Sequence, residues 1–287
     1  MRLADTSGVY PSLARITHRL AMTTSTPPAI AESAKFPIDP RDLIVGLGRG
    51  LKVIESFDDD HSRMTLAEVS ARTGIPRTAT RRHLLSLCHF GYAQTDGKLF
   101  WLAPRVLRLG QSYLGSARLP RLVQPFIQRL SMVTGETVNV SILDGHEVVY
   151  IARSNSPRVV SIGFYAGARV PAHTVSPSVM LLSAFSEQAL EEWVSEHNFA
   201  SFTPHAPMEA SQFIANVQAA RSLGYWITEQ FLDVGLGGVA VTLKDRHGKS
   251  VAAVSITFQV ASWPHQAIIE KLVPAIRETA QTLRSVL

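Results

Sequence analysis

The part of the sequence that most restricts the fold joins a short helix to a basic helix through a glycine turn. The segment "TLAEVSART" starts with Thr65 and Glu68 at capping-box spacing, where the hydroxyl and the carboxylate each accept a hydrogen bond from the other residue's N–H. Gly74 provides the left-handed conformation that ends such a helix. Pro76 suits the first turn of the next helix, because its missing N–H would lack a partner there anyway. This order predicts a helix-turn-helix.

The second of these helices, predicted from Pro76 to about His89, has an apolar side and a basic side. Taken alone, this pattern indicates a solvated surface more often than a binding surface. The capped helix and the turn before it favour DNA binding, because arginine makes paired hydrogen bonds with guanine edges and phosphates. Threonine hydroxyls and the helix N-terminus add donors for phosphate oxygens. The candidate DNA contacts on this helix are Arg77, Thr78, Thr80, Arg81 and Arg82.

A predicted hairpin follows the basic helix, as in a winged helix-turn-helix. In "YAQTDGKLFWL", two short β-prone pieces flank Asp96-Gly97, a strong signal for a tight turn. Lys98 lies near the tip of this wing and is a further candidate DNA contact. A helix is expected from about Gly48 to Phe57, ahead of the capped helix, and another in "APRVLRLGQSYLGSA" joins this winged module to the rest of the chain.

The positive charge of the chain is concentrated in this module. Residues 41–118 contain twelve Lys and Arg against seven Asp and Glu, whereas residues 1–40 have a net charge of +1 and residues 119–287 of −1. Such an asymmetry is expected where one domain meets a polyanion.

The remaining sequence predicts an α+β domain with an antiparallel sheet between helices. Helices are expected at 120–134, 177–198 and 209–223, and a last one from 263 onward with a bend at Pro274. Apolar alternation predicts strands in "TVNVSIL", "EVVYIA", "VVSIGFY", "YWITEQF", "GGVAVTL" and "SVAAVSITF". The predicted organisation is a flexible N-terminal extension at 1–40, a winged helix-turn-helix DNA-binding domain at 41–103, a linker helix at 104–118 and a second domain at 119–287.

Two long stretches carry a resemblance to a known family. "GLGRGLKVIESF" with "TLAEVSARTGIPRTATRRHLLSLCHFGYAQTDGKLFWLAPRVLRLGQSYL" resembles the N-terminal module of IclR-type bacterial transcription regulators. "GETVNVSILDGHEVVYIARS", "GARVPAH" and "GYWITEQFLDVGLGGVAV" resemble the effector domain of the same family, and the subgroup controlling aromatic-acid and β-ketoadipate catabolism is the most similar. The resemblance implies a cytoplasmic regulator that binds double-stranded DNA as a dimer or dimer of dimers. It also implies that residues 119–287 form a GAF-like effector-binding and oligomerisation domain for a small aromatic or dicarboxylic acid.

The resemblance also implies where the effector binds. In the family a small carboxylate lies on the effector sheet, held by loop amides and polar side chains. Ser255 and Thr257 are two apart on a strand and share a face, and "GLGG" can offer backbone N–H groups to an anion. The matching positions are Ser176, Ser178, Thr228, Glu229, Gly237, Gly238, Ser255 and Thr257.

Three positions depart from the family pattern and predict a less cationic, more apolar pocket. Ser178 and Val179 stand where Gly and Lys are expected. "GLGG" replaces "GLR" followed by Cys or Ser, which removes a cation. Phe231 and Asp233 replace an acidic pair. The basic residues that could supply the missing charge are Arg153, Arg158 and Arg169.

Catalytic and metal-binding patterns are missing from the sequence. The ten histidines show no H-x-x-x-H spacing, and no G-x-S-x-G nucleophile turn occurs. The one cysteine, Cys88, excludes an intramolecular disulfide and a multi-cysteine zinc site, and its apolar neighbours predict an unreactive thiol. We therefore expect no catalytic residues, metal or cofactor, although His173 would be the first candidate for a metal ligand.

Membrane and secretion signals are not expected either. No apolar run reaches the roughly 18 residues of a membrane span, and the N-terminus lacks a charged start followed by an apolar core. Two other interpretations stay open. One is a constitutive DNA-binding dimer with a vestigial pocket. The other is an enzyme or small-molecule carrier whose front module docks a protein.

Overall fold

The computed structural model describes residues 38–154, 165–206 and 209–287. Most of the predicted N-terminal extension and of the strand "VVSIGFY", together with Arg158, lies outside the described residues. The chain divides into two compact units, Met1–Ser112 and Tyr113–Leu287, so the boundary falls inside the predicted linker helix. Among the described residues, no helix is both long and apolar enough to cross a membrane.

The first unit is a helix-turn-helix followed by a hairpin, which confirms the predicted winged fold. Three described strands form an antiparallel sheet in the order β1-β3-β2. Its elements are α1 (Val45–Glu55), β1 (Met64–Thr65), α2 (Leu66–Thr73), α3 (Arg77–His89), β2 (Ala93–Thr95), β3 (Leu99–Leu102) and α4 (Leu107–Ser116), with a 3₁₀ turn at Pro104–Val106 before α4.

Helix α2 begins and ends through the local interactions that the sequence predicts, and its end forms the turn to α3. The Thr65 hydroxyl accepts the Glu68 N–H at 3.3 Å, and the Glu68 carboxylate accepts the Thr65 N–H at 2.7 Å. Gly74 ends α2 with a φ of +69°. Ile75 then turns back into a core of buried apolar side chains from α1, α2 and α3, including Val53, Val69 and Leu84.

The second unit is an antiparallel sheet covered by helices on both faces, as predicted. Its six described strands have the order β6-β5-β4-β9-β8-β7. The strands are β4 (Thr137–Asp144), β5 (Glu147–Arg153), β6 (Arg169–Pro171), β7 (Trp226–Glu229), β8 (Leu236–Lys244) and β9 (Ser250–Gln259). The helices are α5 (Arg118–Thr134), α6 (Ser176–Leu182), α7 (Glu187–Glu196), α8 (Ala210–Leu223) and α9 (Val273–Arg284).

Two separate apolar cores lie on the two faces of this sheet. On one face, Val254 and Ile256 of β9 pack with Ile127 of α5 and Ile276 of α9. On the other face, the core joins α6, α7 and α8 through Leu182, Leu190 and Phe213, and includes Ala253 of β9. The alternation of β9 thus divides successive side chains between two buried environments.

Two helices differ from the sequence-based expectation. The helix predicted at 177–198 is two helices, α6 and α7, because Ser186 caps a new start by accepting the Ala189 N–H at 3.2 Å. The last helix starts at His265–Ala267 and widens into a π-helical segment, Ile268–Leu272, directly before α9. Pro274 lacks the N–H that would bond four residues back, so a change of helical geometry at this position is expected.

The capping box at the start of α2 gives a test of the first unit. Thr65→Ala should lower its free energy of unfolding by about 1 kcal/mol, because the N–H of Glu68 loses its partner. Urea unfolding followed by circular dichroism measures this change. Thr65→Ser is the matched control, since it keeps the hydroxyl, and equal losses in both variants would contradict the assignment.

Candidate functional site

The exposed side of α3 is basic and carries no opposing charge. Arg77, Thr78, Arg81 and Arg82 are all exposed, and α3 contains no acidic residue. Residues four apart lie on the same side of a helix, so Arg77 stands above Arg81 and Thr78 above Arg82. The structure therefore brings four of the five predicted α3 contacts onto one accessible surface.

Thr80 lies apart from that surface, in the core of the first unit. Its side chain is fully buried, and its hydroxyl donates to the carbonyl oxygens of Ile75 at 3.0 Å and Pro76 at 3.2 Å. The hydroxyl therefore links α3 to the turn before it. Helical spacing also places Thr80 on the apolar side of α3. It cannot reach a groove from there, so Thr80 is corrected from a DNA contact to a structural residue.

The wing presents a second basic surface. Lys98 is exposed at the β2–β3 turn, where the Asp96 carboxylate accepts the N–H groups of Lys98 at 2.9 Å and Leu99 at 2.8 Å. These hydrogen bonds, that from Leu99 first, lower the pKa of Asp96. Arg63 was not predicted from the sequence: its guanidinium lies 4.3 Å from the ring centroid of Trp101 on β3.

A cavity of about 50 Å³ lies on the face of the second sheet that α6 covers. It contains six of the eight predicted effector residues: Ser176, Thr228, Gly237, Gly238, Ser255 and Thr257. Tyr150, Thr174, Val175, Pro177, Phe231, Leu232 and Leu236 complete the lining. Strand alternation explains the polar side, because Val254, Ile256 and Phe258 point into the opposite core and leave Ser255 and Thr257 facing the cavity.

Buried polar atoms at the cavity and on the β4 face next to it lack hydrogen-bond partners among the described residues. These are the Ser176 Oγ, the Asn139 Oδ1 and the Ser141 Oγ, and all three residues are at most 1% exposed. The Asn139 Nδ2 donates to the Thr257 Oγ1 at 3.2 Å, which orients the amide beside the cavity. A buried polar group without a hydrogen bond costs roughly 1–3 kcal/mol. Such a cluster is typical of a site that holds a polar guest or water.

The two glycines of "GLGG" have different steric roles. A Cβ at Gly238 would lie 3.1 Å from the Ser176 Oγ and 3.7 Å from the Thr228 Oγ1, so it would occupy space at the cavity. A Cβ at Gly237 would lie 2.4 Å from the Phe258 ring, which packs in the core of the opposite face. One glycine therefore keeps the cavity accessible, and the other lets β8 approach a buried aromatic ring.

Ser178 and Glu229 are not part of the cavity lining. The Ser178 Oγ is fully buried within hydrogen-bond distance of the carbonyl oxygens of Ala172 and Val175, the latter at 2.7 Å. The Glu229 Oε1 lies 3.4 Å from the Nδ1 of His265. Since Thr228 faces the cavity, the adjacent Glu229 points to the other side of β7. Their assignment as effector contacts is corrected for these reasons.

None of the described lining residues carries a positive charge, as the departures from the family pattern predict. Arg169 instead pairs with Asp144 and Glu147, each at 2.7 Å, and Arg153 does not line the cavity. Tyr150 was missed by the sequence analysis, and burial raises the pKa of its hydroxyl, which stays protonated.

Three histidines form a hydrogen-bonded chain, which starts at His173, the neighbour of Thr174 in sequence. The carbonyl oxygen of Ala200 accepts the His173 Nε2–H at 2.8 Å, which leaves the His173 Nδ1 to accept from the His197 Nε2 at 2.7 Å. The His197 Nδ1 then accepts from the His146 Nδ1 at 3.2 Å. The other side of the His146 ring faces Glu196, whose carboxylate lies 3.9 Å from Nε2. His173, the candidate metal ligand, thus has both ring nitrogens engaged within the protein.

Both units resemble known proteins. Residues 111–285 match the family model "Bacterial transcriptional regulator IclR C-terminal", and residues 46–97 match "IclR helix-turn-helix domain". The p-hydroxybenzoate hydroxylase transcriptional activator of Acinetobacter baylyi is 36% identical over 253 residues, which cover 86% of this chain and 93% of that protein. The Pca regulon regulatory protein of Pseudomonas putida is 33% identical over 270 residues, 92% of each chain.

A solved structure is similar to the second unit. It is the inducer-binding domain of a double mutant of the PobR transcription factor from Acinetobacter, in complex with 3-hydroxybenzoic acid. The TM-score is 0.57 at 30% identity, and the match covers 60% of this chain and 100% of that one.

The histidine chain predicts a loss of stability in acid. Burial, together with the neighbouring His173 and His146, lowers the pKa of His197 to about 3 from its ordinary 6.5. Between these values the unfolded chain binds more protons than the folded one, so the free energy of unfolding should fall as the pH drops below 6.5. His197→Gln should flatten this fall in urea unfolding between pH 7.5 and 4.5. The exposed His247→Gln is the control, and equal slopes in the two variants would sink the prediction.

Proposed function

Because the chain belongs to the IclR family of bacterial transcriptional regulators, we propose which residues carry its two activities. Helix α3 enters the major groove of operator DNA, and a small aromatic acid binds in the cavity under α6. The protein regulates catabolic genes from the cytoplasm and is not an enzyme. The observation that carries the DNA-binding proposal is the exposed surface of four α3 side chains without a carboxylate among them.

The α3 side chains make two kinds of DNA contact, one with phosphates and one with base edges. Arg77 and Thr78 lie in the first turn, where the helix N-terminus also attracts phosphate. Arg81 and Arg82 lie one turn further along and can reach base edges, since guanidinium groups match the O6 and N7 acceptors of guanine. Lys98 contacts the phosphate backbone next to the groove, together with Arg63, which directly precedes β1.

Removal of the second-turn arginines tests this assignment. Arg81→Ala with Arg82→Ala should weaken binding to the upstream intergenic DNA by about 1–3 kcal/mol for each arginine that hydrogen-bonds a guanine. The salt dependence should also become shallower, by about 0.9 in slope for each phosphate that the variant no longer neutralises. An electrophoretic shift series at several salt concentrations measures both quantities.

The matched control removes the same charge elsewhere. Arg129 on α5 and Arg246 in the β8–β9 turn are exposed residues of the second unit. Arg129→Ala with Arg246→Ala should leave DNA affinity near that of the parent. If it weakens binding as much as the α3 variant, net charge rather than α3 explains the effect.

The cavity chemistry supports an aromatic acid as effector. Phe231 and Leu232 provide an apolar wall, whereas Ser176, Thr228 and Thr257 provide hydroxyl groups. Neutral donors suffice for a carboxylate, because two or three hydrogen bonds stabilise its charged form. The Acinetobacter inducer-binding domain whose structure holds 3-hydroxybenzoic acid is 30% identical to this chain. We infer a hydroxybenzoate-like effector, held by hydroxyl and backbone N–H groups rather than by an arginine.

An effector of this size needs the cavity to widen. The cavity measures about 50 Å³, whereas pockets for small molecules usually measure about 300–1,000 Å³. The segment 230–235 covers it and starts at Gln230, which has a φ of +63°. The side chain of Gln230 holds this conformation by accepting the Gly235 N–H at 3.0 Å. We propose that this segment, with Phe231 and Leu232, moves aside as the ligand enters.

A thermal-shift assay with 3- and 4-hydroxybenzoate tests the effector site. A ligand that binds only the native state at 100 times its Kd should stabilise the parent by about 2.7 kcal/mol. Gly238→Ala should abolish most of this shift, because the new Cβ lies 3.1 Å from the Ser176 Oγ. Gly110→Ala on α4 is the control, since its Cβ would meet nothing within 4 Å. A parent without any shift would instead indicate a constitutive DNA-binding protein.

Exposed apolar residues of the first unit support a homodimer. The N-terminal side of α1 exposes 71% of Ile44, 63% of Leu47 and 43% of Leu51. An apolar surface at one place on a soluble domain is typical of a protein contact. We propose that a second copy of the chain covers this surface, since the two α3 helices of a symmetric dimer would bind two half-sites on DNA.

A further inference from the structure

A second cleft in the second unit lies at the end of the sheet edge, away from the effector residues. β7 pairs with β8 only from Gly237 to Ala240, whereas β8 continues to Lys244 with β9 as its partner. Beyond Trp226, no described strand lies on the outer side of β8. The cleft encloses about 420 Å³ and is lined by residues from the end of α6, from α8, β8 and α9.

The charged residues of this cleft are all positive. They are Arg221 of α8, Lys244 of β8, and Arg277 and Arg284 of α9. None of the described lining residues is Asp or Glu. Arg277, Gln281 and Arg284 follow each other at helical spacing, so one side of α9 faces the cleft. Field lines from like charges concentrate in a cleft and favour oppositely charged ligands there.

Two of the arginines are fixed by uncharged partners. The Arg221 Nε and Nη2 donate to the carbonyl oxygens of Ser183 at 3.0 Å and Phe185 at 2.7 Å. The Arg277 Nη2 donates to the carbonyl oxygen of Leu223, and its guanidinium lies 5.2 Å from the ring centroid of Tyr225. These contacts position the guanidinium groups at the cleft without neutralising them, unlike the paired Arg169.

The acidic residues next to the cleft are not part of its lining. Glu187 lies 4.0 Å from the Arg221 Nη1, at the limit of an ion pair, and is 77% exposed. The Asp245 carboxylate, next to Lys244, accepts the backbone N–H groups of His247 and Lys249 at 2.9 Å each.

We propose that this cleft binds a small anion with two or more carboxylate or phosphate groups, at a site distinct from the effector cavity. Its volume of about 420 Å³ falls within the usual range for small-molecule sites, about 300–1,000 Å³. Arg277 and Arg284 are seven residues apart, about 10 Å along the helix axis, so one carboxylate meets one of them. An anion with several charged groups can engage both ends and form charge-assisted hydrogen bonds with each.

The position of the cleft connects it to the effector cavity through a single helix. α6 starts at Ser176 in the cavity, and Met180 and Ser183 at its end line the cleft. All residues of α6 are buried. An anion in the cleft is therefore placed to act together with an effector at the other end of α6.

Calorimetric titration of the full-length protein with citrate and with pyrophosphate, in a chloride buffer of low ionic strength, tests the site. The parent should bind at least one of these anions saturably, with one site per chain. Lys244→Gln with Arg284→Gln should weaken this binding by about tenfold or more, because neither new side chain can form a charge-assisted hydrogen bond. Both residues are exposed, so the fold should persist, and Arg284→Gln alone provides a milder second variant.

Two control variants separate the cleft from other basic surfaces. Arg246→Gln with Lys249→Gln removes the same charge from the adjacent exposed turn, and Arg81→Gln with Arg82→Gln removes it from α3. Both should retain the parent's anion affinity at the cleft within about twofold, since none of these four residues lines it. Hydroxybenzoate binding should be unchanged in the cleft variant, which separates a failure here from a failure of the effector site.

Each anion gives a different outcome. Binding of citrate alone identifies a carboxylate site, and binding of pyrophosphate alone identifies a phosphate site. The proposal fails if the parent binds neither anion at millimolar concentration. It also fails if the turn variant or the α3 variant loses as much affinity as the cleft variant.

Discussion

The pairing of β4 with β9 is the constraint on which the second unit depends. Both strands lie in the middle of the sheet, and both of their faces are covered by helices. Their apolar residues fill the core under α5 and α9, which leaves Asn139, Ser255 and Thr257 on the face under α6. A shift of the β4–β9 pairing by one residue would bury these polar groups in the apolar core under α5 and α9. The register that forms this core therefore also forms the cavity.

The two adjacent glycines of β8 have different steric roles on the two faces of the sheet. Gly238 leaves room beside Ser176, whereas Gly237 admits the Phe258 ring from the opposite core. Adjacent positions on one strand thus face the cavity and the opposite apolar core. The absence of an arginine at this point of "GLGG" has a physical consequence, because a carboxylate bound there must rely on neutral donors in a desolvated site.

Local sequence signals predicted the first unit well, and long-range contacts limited prediction of the second. The capping box at Thr65, the turn at Gly74 and the hairpin at Gly97 each depend on neighbouring residues. By contrast, Tyr150 reaches the cavity from another strand, and the three histidines come from separate segments. Alternation in "TVNVS" contained a signal for Asn139 and Ser141, since polar residues between buried valines imply a second, polar buried face. Burial of that face could not be known before α6 was placed.

The distribution of positive charge distinguishes the two ends of α6. The cavity at its start has no cationic residue in its described lining, so in the proposed function an anion would enter by hydrogen bonding and by displacing Phe231 and Leu232. The cleft at its end has four cations and requires no comparable rearrangement. A ligand at either end shifts a conformational equilibrium only as far as it binds the two states of α6 differently, and any such coupling must act equally in both directions. Because α6 is buried along its whole length between the sheet and α8, a shift at Ser176 cannot be absorbed by solvent and must be met by its packed neighbours.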